Sequence, residues 1–212
     1  SRPEQLAIAE SEVPDRDLWI RWAAKEAAFK TISKSRGAPP TFVHTRFQVS
    51  IPPLDSTPEP DGSRKGHPAT RFGEVQYEDV ILPLRVEVRE GTVHAVTWLP
   101  PSPGQVPPFF WESSRIPGEE RNWRRQLRPL MSEREWRCVS HRASALARLA
   151  ARRSISLIMA LPEGRVEIGC RAGTPGRRIP IVFLDGREIP VDLTLSHHGK
   201  MLAWAFLSDL SL

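Results

Sequence analysis

The spacing of apolar and polar positions changes period several times along this chain, and each change marks an element. Between residues 16 and 34, Leu18, Trp22, Ala23, Phe29 and Ile32 recur near helical spacing, which predicts a helix with Asp15 as its N-cap. The run Ser35-Arg36-Gly37-Ala38-Pro39-Pro40 then stops it with a glycine and two prolines. From Phe42 to Ile51 the residues are β-rich and partly alternating, which predicts a strand. Pro52 to about Thr70 is rich in Pro, Gly, Ser and charge, and reads as a loop. Strands follow at 71–77, 80–89 and 92–99, the last two joined as a hairpin about Glu90-Gly91.

Five prolines between 100 and 108 predict an irregular connection. Phe109-Phe110-Trp111 reads as an apolar cluster docking a loop onto a core. Ser132-Glu133-Arg134-Glu135 has capping-box spacing and predicts a second long helix over about 132–160. Trp136, Val139, Ala143, Leu146, Leu149 and Ala150 line its apolar side, and arginines occupy the other. Strands are expected at 165–170, 179–184, 193–195 and 201–207, with Asp185-Gly186 as a hairpin turn. Helices and strands are interspersed without a βαβ rhythm, which argues for an α+β fold in a single domain over 1–212. No internal repeat is visible.

Composition narrows the partners. A chain of 212 residues can bury a substantial core, and its formal charge of +5 favours anionic ligands. Arginines are spread along the chain rather than clustered with aromatics as in an RNA-binding sheet, so a basic nucleic-acid-binding domain rests on net charge alone and is the weaker, third reading. Cys138 and Cys170 are too few for a disulfide framework or a zinc site and read as two buried thiols in a reducing compartment. With no membrane-length apolar run and no signal peptide, the expected location is cytoplasmic.

The chemistry concentrates in Trp22-Ala23-Ala24-Lys25-Glu26-Ala27-Ala28-Phe29-Lys30. On a helix Glu26 and Lys30 lie side by side, one turn apart, while Lys25 points about 100° away. Surface Glu–Lys pairs are commonplace. This one is accompanied by a tryptophan one turn earlier and by Ser196-His197-His198-Gly199 near the other end. A carboxylate can hold a divalent metal, a lysine or imidazole can meet phosphate, and Gly199 lets a turn approach a ligand.

Together these motifs resemble the 4′-phosphopantetheinyl transferase superfamily, in the order found in its holo-acyl-carrier-protein synthase branch. The likeness covers 16–34 and roughly the last 35 residues; the stretch at about 52–130 matches nothing in the family and reads as a β-rich, Pro-rich elaboration. The resemblance implies a 4′-phosphopantetheinyl transferase-like fold, with an antiparallel sheet packed against the two long helices. It implies transfer of the phosphopantetheine arm of coenzyme A to a serine of an apo acyl or peptidyl carrier protein. Glu26 matches the carboxylate that ligates Mg²⁺, Lys30 the lysine beside the reacting phosphate, and Lys25 a second phosphate- or pantetheine-binding lysine. Ser196 and His197 match the pair that contacts the 3′-phosphate end of coenzyme A, and Arg178 loosely matches a further coenzyme A contact. The family's second metal ligand, an aspartate in a Gly-x-Asp strand ahead of the helix, has no counterpart here. With no Met at the start, the expectation is an N-terminally truncated member. Family members work as trimers or as pseudo-dimeric monomers, so either is implied. A non-catalytic coenzyme A or carrier-protein binding module of the same fold is the alternative.

Overall fold

A computed structural model describes residues 2–52, 69–89, 91–100, 109–118, 121–172 and 178–208. It is an α+β protein, and every strand pairing it contains is antiparallel. The residues sort into two compact units, Ser1–Val106 and Pro107–Leu212, where one domain with an elaboration was expected. The strands of that expected elaboration are divided between the two units. The proline-rich runs at 53–68 and 101–108, read above as irregular, lie outside the described residues.

The first unit opens with a helix that sequence pattern does not signal, α1 (Arg2–Ala9), followed by α2 (Pro14–Ser35). Pro14 starts α2 because its fixed φ suits the first helical position and its missing N–H has no partner to lose there. The N-cap is therefore Val13, and Asp15 lies inside the first turn with Asp17, where both favour the positive end of the helix. Gly37, at φ +64, follows the C-cap Arg36. The buried stripe of α2 is Ile20, Ala24, Ala28, Phe29 and Ile32, whereas Leu18 and Trp22, expected on it, are 50% and 41% exposed. A 3-10 turn at His44–Arg46 replaces the first half of the expected strand, leaving β1 (Phe47–Ser50). Next come β2 (Ala69–Tyr77), β3 (Val80–Arg89) and β4 (Thr92–Thr97), in sheet order β1-β2-β3-β4. Gly91, at φ +69, sits in the β3–β4 turn as expected. The helix packs its apolar stripe on Phe47, Val49, Val75, Tyr77, Leu82, Leu84 and Val86. Full burial of each large side chain contributes about 2 kcal/mol.

In the second unit Phe109-Phe110-Trp111 is not a docking cluster but the start of β5 (Phe109–Arg115). The expected long helix at 132–160 is broken. Its capping box is real, with Glu135 N–H donating to Ser132 Oγ and Ser132 N–H to Glu135 Oε2, but it caps a single turn, α4 (Glu133–Trp136). A separate short helix, α3 (Trp123–Leu127), comes before it, and the long α5 (Arg142–Ile158) begins only after residue 141. The strands are β6 (Val166–Ala172), β7 (Arg178–Leu184), β8 (Arg187–Glu188), β9 (Val191–His198) and β10 (Met201–Ser208). They form sheets ordered β6-β7-β8 and β5-β10-β9, with Asp185 and Gly186 both at positive φ in the β7–β8 turn. Helix α5 buries Ala147, Ala151 and Ile155 against Val166, Ile168, Leu193, Trp204 and Phe206.

Cys138 and Cys170 are not separate thiols. They are bonded to each other, with Cα atoms 5.9 Å apart, tying the end of α4 to β6. The argument from free thiols for a reducing compartment therefore falls away. Among the described residues no helix is long and apolar enough to cross a membrane.

A repeat invisible in the sequence emerges from these elements. In each unit a short helix, a long helix and a 3-10 turn lead into a strand at the edge of its sheet (α1, α2 and β1; α4, α5 and β6). In each, one buried carboxylate ties the three together. Glu4 of α1 accepts from Lys25 of α2 at 2.7 Å and from the Val49 N–H of β1 at 2.9 Å. Glu135 of α4 accepts from Arg152 of α5 at 2.9 Å and from the Ile168 N–H of β6 at 3.0 Å. Val49 and Ile168 are each the third residue of their strand. The buried positions also keep step: Ile20, Ala24 and Ala28 stand to Lys25 as Ala147, Ala151 and Ile155 stand to Arg152. An edge strand offers unpaired N–H groups to any other strand, and here a charge-compensated carboxylate covers one of them in both units.

Candidate functional site

Residues Lys25, Glu26 and Lys30 do lie on one helix, α2, but they face different surroundings. Lys25 is buried, and its ammonium is committed to Glu4 and, at 3.0 Å, to the His44 carbonyl. The expectation of a phosphate- or pantetheine-binding Lys25 meets an ammonium already engaged in the interior. Burial tends to raise the Glu4 carboxyl, but the hydrogen bonds from Lys25 and Val49 outweigh it and hold the group below the usual range.

Glu26 and Lys30 belong to the flank of α2 that packs on β4. Thr31 pins this flank, its Oγ1 lying 2.8 Å from Thr97 Oγ1 and 3.1 Å from the Thr97 carbonyl. Burial lowers the pKa of the Lys30 ammonium, with Glu26 opposing and Lys34 assisting the shift. His94 of β4 joins the cluster. Burial, then the charges of Lys30 and Arg89, push its imidazole down to about 4, so it is neutral near pH 7. Sequence reading passed over His94 because a lone histidine in an alternating strand is ordinarily a core residue. Its meaning comes from α2.

Glu26 is the carboxylate that α2 brings to this cluster, buried Glu87 of β3 stands opposite His94 and pairs with Arg89 at 3.2 Å, and among the described residues no group of three His, Cys, Asp or Glu could hold a metal ion. A preformed cage is thus absent from the described residues. A single carboxylate nevertheless suits Mg²⁺ held mainly by water and substrate phosphates, so Glu26 fits as one ligand of such an ion.

The other expected residues lie in the second unit. Ser196 and His197 sit within β9, paired with Ala203 and Leu202 of β10, not in a turn. The turn is Gly199-Lys200, with Gly199 at φ +54. His197 is exposed, and its ring meets that of His141 edge-on at 4.4 Å. His141 is the N-cap of α5, its Nδ1 accepting from the Ser144 N–H at 3.2 Å. Two imidazoles at a helix N-terminus suit an anion, yet histidine is no usual N-cap and gave no signal in the sequence. Arg178 is the first residue of β7, opposite Ala172.

No protein-family model, curated protein or solved structure matches this chain. The site must speak for itself. The first unit holds a carboxylate and a partly buried ammonium on one flank of α2 with a neutral imidazole nearby, and the second unit separately holds a hydroxyl and paired imidazoles on β9 and α5.

Proposed function

We propose that this protein transfers the 4′-phosphopantetheine group of coenzyme A to a serine of an apo acyl or peptidyl carrier protein. The observation that carries the reading is Lys30: its ammonium is drawn out of water beside Glu26, at the family's spacing. An ammonium in such a place costs stability and suits a site that receives an anion. In the proposed reaction the carrier serine hydroxyl oxygen attacks the phosphorus next to the pantetheine arm, its proton passes to solvent, and 3′,5′-adenosine bisphosphate leaves with the electrons of the broken P–O bond. Lys30 stabilises the charge that develops on the phosphoryl oxygens. Glu26 would lend one oxygen to a magnesium ion, which supplies charge neutralisation on the pyrophosphate. Lys25, tied to Glu4, would position the helix, and Ser196 and His197 keep, as a separate expectation, the phosphate contact that the resemblance implies.

The test is Mg²⁺-dependent labelling of an apo carrier protein with fluorescent coenzyme A. Glu26→Ala should abolish labelling, and Lys30→Met should lower kcat at least a hundredfold while raising the melting temperature. His197→Ala should weaken coenzyme A more than an analogue lacking the 3′-phosphate. Undiminished labelling by the Glu26 and Lys30 variants would sink the proposal. One observation favours the alternative, a non-catalytic coenzyme A or carrier-binding module: Lys25 is engaged by Glu4 and offers a ligand little. Saturable coenzyme A binding without any labelling would select it.

A further inference from the structure

On the flank of α2 away from Glu26 and Lys30, Arg71 pairs with Asp17, and the charges of Arg16 and Arg21 fall close enough to act on it. Asp17 and Arg21 are one turn apart on α2, and Lys25, a turn further along the same row, faces β1. Arg71 of β2 places Nη1 3.5 Å from Asp17 Oδ1, and its Nη2 donates to the Pro52 carbonyl. Arg21 Nη1 donates to the Val49 carbonyl at 2.9 Å. Arg16 stands next to Asp17, and its Nε is buried without a hydrogen-bond partner. The Arg71 side chain is 11% exposed and that of Asp17 22%. Desolvation, with the charges of Arg16 and Arg21, lowers the pKa of Arg71 although Asp17 works to raise it.

Three cations and one anion leave two positive charges in excess in a place where water screens them poorly. Backbone carbonyls hold two of the guanidiniums but cancel no charge. A phosphate dianion would cancel that excess, and its tetrahedral oxygens accept from guanidinium forks better than from any other cation. We infer that Arg16, Arg21 and Arg71 form a phosphate-binding site of the first unit, with Asp17 as the internal anion that competes with the ligand. The inference stands on different residues from the transferase reading and survives its failure.

Calorimetric titration of the full chain with inorganic phosphate and with pyrophosphate, at constant ionic strength, tests it. Both should bind saturably. Removing the competing carboxylate with Asp17→Asn should tighten binding about tenfold. Arg16→Gln, which breaks no hydrogen bond to Nε, should weaken it about tenfold without changing the melting temperature of the free protein. Arg165→Gln, an exposed guanidinium of the second unit paired with Asp185, should leave phosphate affinity unaltered. The proposal is overturned if Asp17→Asn weakens or does not change binding, or if Arg16→Gln binds like the parent. An equal loss in Arg165→Gln would reduce the binding to net charge and overturn it as well.

Discussion

Replacing Glu135 by alanine should be among the most damaging single changes in the second unit. The carboxylate is fully buried and accepts three hydrogen bonds, from Arg152 Nη1, the Ile168 N–H and the Ser132 N–H. Truncation removes the buried partner of the Arg152 guanidinium, whose side chain is 13% exposed, although its Nη2 keeps the Leu130 carbonyl at 2.9 Å and the exposed Glu163 carboxylate at 3.5 Å. Breaking a buried ion pair from one side costs about 3–5 kcal/mol. A stranded backbone N–H costs about 1–3 kcal/mol, and loss of a cap about 1 kcal/mol. These terms share atoms and overlap, so about 4 kcal/mol is expected. With a urea m-value of about 1.2 kcal/mol/M for a unit of this size, the midpoint should fall by about 3 M. The assay is urea unfolding followed by amide exchange at Ile168, whose protection should collapse before that of the β10 core. Glu135→Leu with Arg152→Leu supplies the control: removing both charges should cost less than the sum of the single changes. A loss under about 1 kcal/mol, or strict additivity of the pair, would refute the view that this carboxylate holds α4, α5 and β6 together.

Acid titration should expose His94. Its imidazole titrates near 6.5 in the unfolded chain and near 4 in the fold, so the unfolded state binds more protons between those values. The stability this represents, about 3 kcal/mol, is fully present above pH 6.5 and is lost as pH falls towards 4. Urea midpoints of the parent and His94→Gln across pH 4–7.5 check it; an equally steep dependence in the variant would refute the assignment. Gly73→Ala should destabilise the first unit by about 1–3 kcal/mol, because its Cβ would lie 2.3 Å from the Ser50 carbonyl oxygen. Thermal melting measures that, and an unchanged melting temperature would contradict the β1–β2 geometry. The Cys138–Cys170 bond closes a sequence separation of 32 residues. Loop entropy then gives about 3–4 kcal/mol, which Cys138→Ser should remove. Thiol counting on the unreduced, denatured parent should find none.

Local chemistry was legible where one or two residues decide a conformation. Gly91 and Gly186 lie at positive φ in the β3–β4 and β7–β8 turns, a conformation that glycine adopts without penalty. The Ser132–Glu135 capping box was equally readable. What followed it was not, since the apolar period runs on through Arg137–His141 while the helix stops there. Glu135 must reach Ile168 of β6, and Cys138 must reach Cys170, contacts 33 and 32 positions away that no periodicity encodes. The same limit hid α1, whose buried residue is a glutamate and not an apolar side chain. It also hid the repeat, because lysine serves in one unit and arginine in the other, with unlike helix lengths and loops between.

That repeat changes how the opening motif is weighed. Read alone, Lys25 looks like ligand chemistry because it adjoins Glu26. Yet Arg152 occupies the matching place in the second unit, within a helix that carries no such motif, and it makes the same pair of connections through a buried carboxylate to an edge-strand N–H. A task performed in both units by different cations, wherever a carboxylate covers an edge strand, belongs to the architecture. The chemical weight of the motif therefore moves to Glu26 and Lys30, which the repeat does not explain. Arg153 and Leu157 stand in the corresponding helical places of α5, and Leu157 is 79% exposed. Glu26 and Lys30, replaced by Arg153 and Leu157 at the matching places of the other unit, fall outside the shared architecture, and this is the physical ground on which the proposed transferase reading directs its test to them.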